Sequence, residues 1–368
     1  MTLQLSLGAR IRKSPFFDAT CKSGMISATV YNHMYLPTSY GDPEAEYERL
    51  LNGVALWDVG AQRQVMLKGP GSLALARKLT ARNLIGLTVG QGKYAPMCNH
   101  NGALINDPVL LQVDEDEIWL SIADSDMLHW AHSIAVFENL NVTVAEPDVS
   151  PVALQGPRAV DVASVLFGDW CKELKLFQFR GIDFDGIPVV VARSGWSKQG
   201  GVEIYLRDGR YGSQLWDAIL SAGRPFGIGP GAPNIIERIE SGLISYGADT
   251  DDASNPFELG LAKFVDVDQP SQFIGKPALS LIRDGGIKRR FVGLKIEGPR
   301  FAAPSEHRFD LLHEGVYAGY VSAAAFSPRV NSNIAVALVS SSVVFAEEVV
   351  VVCDDGKRRA EVIELPFV

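Results

Sequence analysis

The sequence predicts an α+β protein: two related α/β halves over residues 1–284, then a strand-rich module over residues 285–368. Three observations carry that expectation. Val65-Met66-Leu67-Lys68-Gly69-Pro70-Gly71-Ser72 is echoed by Val152-Ala153-Leu154-Gln155-Gly156-Pro157-Arg158-Ala159. Each copy reads as a strand, a Gly-Pro turn and a helix opening, with helices over Leu73 to Leu79 and Val160 to Leu166. Each copy is followed by β-rich sequence, Leu110 to Ala123 and Ile182 to Leu206, and strands mixed with helices suggest sheets covered on one face. Last, from about Arg289 the chain reads as short strands (Phe291 to Ile296, Val316 to Val321, Asn333 to Val339, Val349 to Cys353) between Gly, Pro and Asn turns. That spacing suits a small β-barrel or sandwich, with its boundary near Asp284-Gly285-Gly286-Ile287.

Within the second half, Arg193-Ser194-Gly195-Trp196-Ser197-Lys198-Gln199-Gly200-Gly201-Val202-Glu203-Ile204-Tyr205 follows the β-rich run Ile187 to Ala192. The glycines permit positive φ and close backbone approach. Glu203 sits between apolar neighbours on an alternating strand, so it either points at solvent from a tight hairpin or meets a donor-rich ligand. Between the halves and the last module, Gly227 to Asn234 is a glycine-rich loop before a helix expected over Ile235 to Ile244, with Asn234 as N-cap. Ile235, Ile239 and Leu243 share a face of that helix. The loop lacks both G-x-x-x-x-G-K-[ST] and G-x-G-x-x-G spacing, which argues against a phosphate cradle.

Composition bounds the function. Hydrophobic content of 47% and charge of 21% are those of an ordinary globular chain. The net charge is −9, and basic residues cluster only at Lys288-Arg289-Arg290 and Lys357-Arg358-Arg359, which disfavours nucleic acid or an anionic membrane as partner. Cys21, Cys98, Cys171 and Cys353 are far apart, with no C-x-x-C pair, as expected of free thiols in a reducing compartment. No apolar run approaches the ~20 residues of a membrane span, and the start has no signal-peptide core, so a cytoplasmic protein is expected.

Standard catalytic motifs are missing: there is no G-x-S-x-G elbow and no H-E-x-x-H. His129 and His132, at i and i+3, read as surface or core-edge histidines among apolar neighbours, and no metal site is expected. Asp124 and Asp126 read as a carboxylate cluster at a helix start. Asn99 to Pro108 reads as a β-turn and a returning strand that ends in Asn106-Asp107, either an Asx turn before Pro108 or polar groups in a pocket floor.

Read together, several segments resemble the folate-dependent aminomethyltransferase (glycine-cleavage T-protein) family. They are Ala55 to Val59, Val65 to Pro70, Gly102 to Asp107, Leu154 to Pro157, Gly195 to Ile204, Arg238 to Gly242 with Tyr246-Gly247, and Phe326-Ser327-Pro328, in the family's order across nearly the whole chain. Val30 to Thr38, Ser121 to Asp126, Ala192 to Tyr205 and Pro233 to Glu240 are most similar to the members that demethylate a small sulfonium compound. The resemblance implies an aminomethyltransferase-like fold with a C-terminal β-barrel, and tetrahydrofolate as cofactor. It implies Glu203 as the grip on the pterin's 2-amino and N3 edge, Tyr94 as a tyrosine beside the pterin, and Arg238 as an arginine of the folate site. Asn106 falls where aminomethyltransferases place a catalytic aspartate, with Asp107 next to it. That departure shifts the expectation from ammonia release toward methyl transfer.

The implied activity moves a methyl group from a small sulfonium compound, dimethylsulfoniopropionate foremost, to N5 of tetrahydrofolate. A sulfonium methyl is already activated, so rate would come mainly from positioning. Aromatic faces suit the cation, with Trp196, Tyr31 and Tyr246 as substrate-side candidates beside Tyr94. Lys198 is the candidate for an anionic end, and each of these also reads as ordinary packing or a solvated surface. The alternatives are demethylation of a betaine, methylated amine or methoxy aromatic, true aminomethyl transfer, or non-catalytic folate binding. The expected partners are the small-molecule methyl donor and tetrahydrofolate, without nucleic acid or membrane, and the expected assembly is a homodimer.

Overall fold

The computed structural model describes residues 7–343, 345 and 348–368, so the chain start read above lies outside the described residues. The chain divides into two compact units. The first comprises residues 1–75, 86–93 and 109–233, and the second comprises 76–85, 94–108 and 234–368.

The first unit holds a six-stranded sheet in the order Phe179–Phe184, Ile187–Ala192, Gly201–Leu206, Ser150–Gln155, Val54–Asp58, Ile228–Gly231. All neighbours are antiparallel except the last pair. A five-stranded sheet runs Thr143–Ala145, Gln64–Lys68, Glu117–Ser121, Val109–Asp114, Gln91–Tyr94. The alternation along Gly201–Leu206 sorts its side chains between two cores. Val202, Ile204 and Leu206 join Leu215, Trp216 and Ile219 of the helix Gly212–Gly223, whereas Tyr205 joins Trp119 and Leu111 of the other sheet. The sheet is therefore covered on both faces here, not one. Every residue of that strand is buried as a result.

The internal echo has a common geometry. Gln64–Lys68 leads through Gly69 to the helix Ser72–Leu79, and Ser150–Gln155 leads through Gly156 to Ala159–Phe167. Gly69 and Gly156 have φ of +127° and +124°, a backbone that L side chains rarely adopt. The two α/β halves are thus present.

In the second unit six strands close a barrel in the order Arg289–Ile296, Ser332–Ser340, Val316–Ser327, Phe309–His313, Glu348–Cys353, Gly356–Ile363. Of the two forms left open by the strand spacing, the barrel is the one formed. Phe309–His313 and Gly356–Ile363 were not among the strands expected. The first is only five residues long and broken by Asp310, and the second opens on Gly356 and the basic run Lys357 to Arg359, so neither shows a sustained apolar alternation. The helix after the glycine-rich loop spans only Ile235–Glu240, shorter than expected. Asn234 caps it, its side chain accepting from Glu237 N at 3.0 Å. Gly242 (φ +62°) stops it: Gly242 N bonds Ile239 O and Leu243 N bonds Arg238 O, each at 3.0 Å, the Schellman pattern.

Candidate active site

In the first unit the glycine-rich loop is shaped around one amide. A Cβ at Gly195 would meet Gln155 Nε2 at 2.1 Å, and one at Gly201 would meet it at 2.3 Å. Gln155 Nε2 donates to Leu154 O at 3.0 Å, and its Oε1 accepts from Ser197 Oγ at 2.8 Å. The glycines are required because a buried side chain passes where their own side chains would be.

That packing delivers Glu203 to an interior position, 5% exposed, so the solvent-pointing reading is wrong. Its Oε2 accepts from Ser194 Oγ and from Tyr205 Oη, the latter at 3.1 Å. Oε1 accepts nothing among the described residues. Burial raises the Glu203 pKa, against the lowering effect of the Ser194 and Tyr205 hydroxyls. Burial and the Glu203 charge push the Tyr205 phenol well above its ordinary value, while the Ser121 hydroxyl opposes them. Ser121 is itself held by Gln64 Nε2 at 3.0 Å. Trp196 is half-buried and Lys198 exposed on the same loop. Tyr31 is half-buried at the end of the strand Ser27–Tyr31. The turn after it is anchored: Asn32 N donates to Asp124 Oδ1 at 2.7 Å, and Asn32 Nδ2 to Ala61 O at 3.1 Å. Asp124 therefore holds a hairpin, while Asp126 stands at the start of the helix Met127–Phe137 as its N-cap residue.

In the second unit the hairpin Met97–Cys98 and Leu104–Asn106 buries Asn106 completely and sets Asp107 at its end. Tyr94 Oη donates to Asp107 Oδ2 at 2.7 Å. Burial pushes Asp107 up to about 7, with the Tyr94 bond pulling it down and the charge of Asp249 adding to the rise. Tyr94 packs edge-on to Phe264, ring centroids 4.7 Å apart, and Tyr246 packs in the same apolar cluster. Arg238 is 4% exposed. Its Nη1 reaches Asp249 Oδ2 at 2.7 Å and Leu243 O at 3.1 Å. Asp249 Oδ2 also accepts from Ser245 N at 2.6 Å, and Oδ1 from Ser322 Oγ. The buried pair is fully hydrogen-bonded on its carboxylate side, which such a pair needs.

The structure thus groups the candidate residues in two sets, Glu203, Trp196, Lys198 and Tyr31 in one unit and Tyr94, Asn106, Asp107, Arg238 and Tyr246 in the other. It adds Ser194, Tyr205, Ser121 and Gln155 to the first set and Asp249 to the second. Tyr205 carries a signal that was open to reading, since a two-residue alternation puts it on the Glu203 face. Nothing in the local pattern pointed to Gln155 or Asp249. Among the described residues no cluster of His, Cys, Asp or Glu is arranged to hold a metal ion, and His129 and His132 are exposed.

Residues 16–269 match the family model described as the GCVT N-terminal domain, and residues 289–368 match the glycine cleavage T-protein C-terminal barrel domain. The chain belongs to the glycine cleavage T-protein family. It is 39% identical over 333 residues to the dimethylsulfoniopropionate demethylase of Ruegeria pomeroyi, covering 90% of each chain. It is 28% identical over 366 residues to the aminomethyltransferase of Thermotoga maritima, covering 97% of this chain and 98% of that one. The crystal structure of the glycine cleavage system aminomethyltransferase T from Bartonella henselae superposes with a TM-score of 0.86 at 22% identity, covering 97% and 98% of the two chains, which shows the shared fold. This T-protein family member is an enzyme, with tetrahydrofolate as its cosubstrate. Glu203 fits that group chemically: a buried carboxylate with one oxygen left unbonded suits an edge of N–H donors. No helix among the described residues is long and apolar enough to cross a membrane.

Proposed function

We propose that this enzyme transfers a methyl group from dimethylsulfoniopropionate to tetrahydrofolate, giving 5-methyltetrahydrofolate, methylmercaptopropionate and a proton. The observation that carries the reading is the 39% identity to a dimethylsulfoniopropionate demethylase over 90% of each chain, against 28% to an aminomethyltransferase of the same family. Asn106 supports it, standing where aminomethyltransferases are expected to carry an aspartate. Tetrahydrofolate, when bound, supplies N5 as the nucleophile.

The chain's own residues then have positioning tasks. Glu203 is assigned to the pterin's amino edge through Oε1, with Ser194 and Tyr205 fixing the carboxylate. Tyr94 and Arg238 are assigned to the folate as well, and Arg238 is held in place by Asp249. Asn106 and Asp107 are assigned to the neighbourhood of the reacting nitrogen. Trp196, Tyr31 and Tyr246 supply aromatic faces for the sulfonium, and Lys198 a cation for the anionic end. The reading includes a cytoplasmic enzyme that works without nucleic acid or membrane.

Purified protein incubated with tetrahydrofolate and dimethylsulfoniopropionate should yield both products in equal amounts by mass detection. Absence of methylmercaptopropionate at every donor concentration would remove this donor. A betaine, a methylated amine and a methoxy aromatic in the same assay separate the other demethylation readings. The full-length likeness to aminomethyltransferases favours one second reading, aminomethyl transfer, which would show itself by dependence on a lipoyl carrier protein.

A further inference from the structure

A cleft of about 410 Å³ opens in the first unit, and the roles assigned above leave it unused. Arg12, Lys13, Arg63 and Glu146 line it, with Pro15 and Val149 supplying apolar wall. Glu146 draws two guanidinium groups together. Its Oε1 accepts from Arg12 Nη2 at 2.9 Å and from Arg63 Nε at 3.0 Å, and its Oε2 accepts from Arg63 Nη2. Nε and Nη1 of Arg12 and Nη1 of Arg63 make no hydrogen bond among the described residues. Lys13 is loosely tied to Asp18, at 3.3 Å. The other carboxylate of the cleft, Asp148, accepts from Gly209 N at 3.0 Å. Cations therefore outnumber anions, and the unused guanidinium donors sit at a concave surface sized for a molecule of a few carbons.

The cleft also shares a wall with the Glu203 cluster. Arg63 precedes Gln64, which holds Ser121, and Ser121 acts on the Tyr205 phenol. Val149 lines the cleft and packs with Tyr205 and Trp119.

We propose that the Arg12–Arg63 cleft, in place of Lys198, is the carboxylate subsite that takes the acid end of a short aliphatic methyl donor. Two guanidinium groups with donors left over suit a carboxylate, and Pro15 and Val149 suit the short carbon chain beside it. Glu146 keeps the pair aligned when the subsite is empty. The inference rests on the proposed donor class, since only a donor with an acid end needs it.

The test compares the full-length protein with Arg12→Gln, which leaves the Arg63–Glu146 pair in place. Steady-state rates are measured with dimethylsulfoniopropionate and with its primary amide. The variant should raise KM for the acid on the order of tenfold, the effect of losing a charge-assisted hydrogen bond. KM for the amide and kcat for both should not change. Arg12→Lys should restore part of the loss. An unchanged KM for the acid, or an equal rise for the amide, overturns the inference while leaving the demethylase reading intact. Should the wild type demethylate neither compound, the donor reading fails by itself, and the subsite is decided by titrating the protein, without folate, with 3-(methylthio)propionate. Binding weakened by Arg12→Gln supports the subsite. No binding, or binding unchanged in the variant, overturns it.

Discussion

Tyr94 donates its phenolic hydrogen to Asp107 Oδ2 at 2.7 Å, and that bond opposes the burial that pushes the Asp107 carboxyl up to about 7. The folded state thus holds a proton on Asp107 that the unfolded chain, with an ordinary carboxyl near 3.8, gives up between those values. Linkage fixes the sign: the contribution is fully present below about 4 and is lost as pH rises through about 7. Asp107→Asn removes the penalty without removing an acceptor for Tyr94. Its unfolding free energy from urea titration should exceed that of wild type at pH 8 by up to a few kcal/mol, and the gain should shrink as pH falls toward 5. A gain independent of pH would mean Asp107 titrates normally.

Glu203 is the residue whose loss should matter most to folate. Glu203→Gln keeps the volume and an acceptor for Ser194 and Tyr205, but places an N–H₂ where a donor edge is expected. Tetrahydrofolate affinity by calorimetry should fall by about 10- to 100-fold, the range for hydrogen bonds to a charged group, with the thermal midpoint little changed. Equal affinity in the two proteins would take Glu203 out of the folate site.

The passage of Gln155 past Gly195 gives a packing test. Gly195→Ala would place a methyl within 2.1 Å of Gln155 Nε2 and should cost about 1–3 kcal/mol as overpacking. In a Gln155→Ala background the clash part of that cost should vanish, since the three nearest atoms all belong to Gln155, leaving only the backbone strain of a side chain at φ +156°. Additive losses in the double variant would place the strain elsewhere.

The Arg238–Asp249 pair predicts strong coupling. Asp249→Asn leaves a guanidinium 4% exposed beside a neutral amide and should cost about 3–5 kcal/mol in urea unfolding. Arg238→Met together with Asp249→Leu should cost less than either change alone. A double variant worse than both singles would show the two charges acting independently.

Much of the fold was legible because its signals are local. The Gly-Pro turns announce themselves in consecutive residues, and the positive φ at Gly69 and Gly156 follows from that chemistry. Asn234 is a cap by type and position. What was not legible depends on pairing across long separations. Glu203 looks like a surface acid until the Trp119 sheet covers its strand, and no window around residue 203 contains that sheet. Asp249 joins Ser322, 73 positions away, and Gln155 becomes a determinant only because Gly195 and Gly201 come to it. The barrel strands Phe309–His313 and Gly356–Ile363 were missed for another reason: one is short and interrupted by Asp310, and the other begins with Gly356 and three basic residues, so neither holds a long apolar alternation.

The way Ser194 and Tyr205 converge on a single oxygen of Glu203 has a stereochemical consequence. A carboxylate held through one oxygen cannot rotate about its Cγ–Cδ bond without breaking two hydrogen bonds, so its other oxygen keeps a fixed heading. A heterocycle that meets that oxygen by an edge of N–H donors would find the acceptor already aimed, with no rotamer freedom left to lose on binding. Three residues of one hairpin thus preorganise a single acceptor before any ligand arrives.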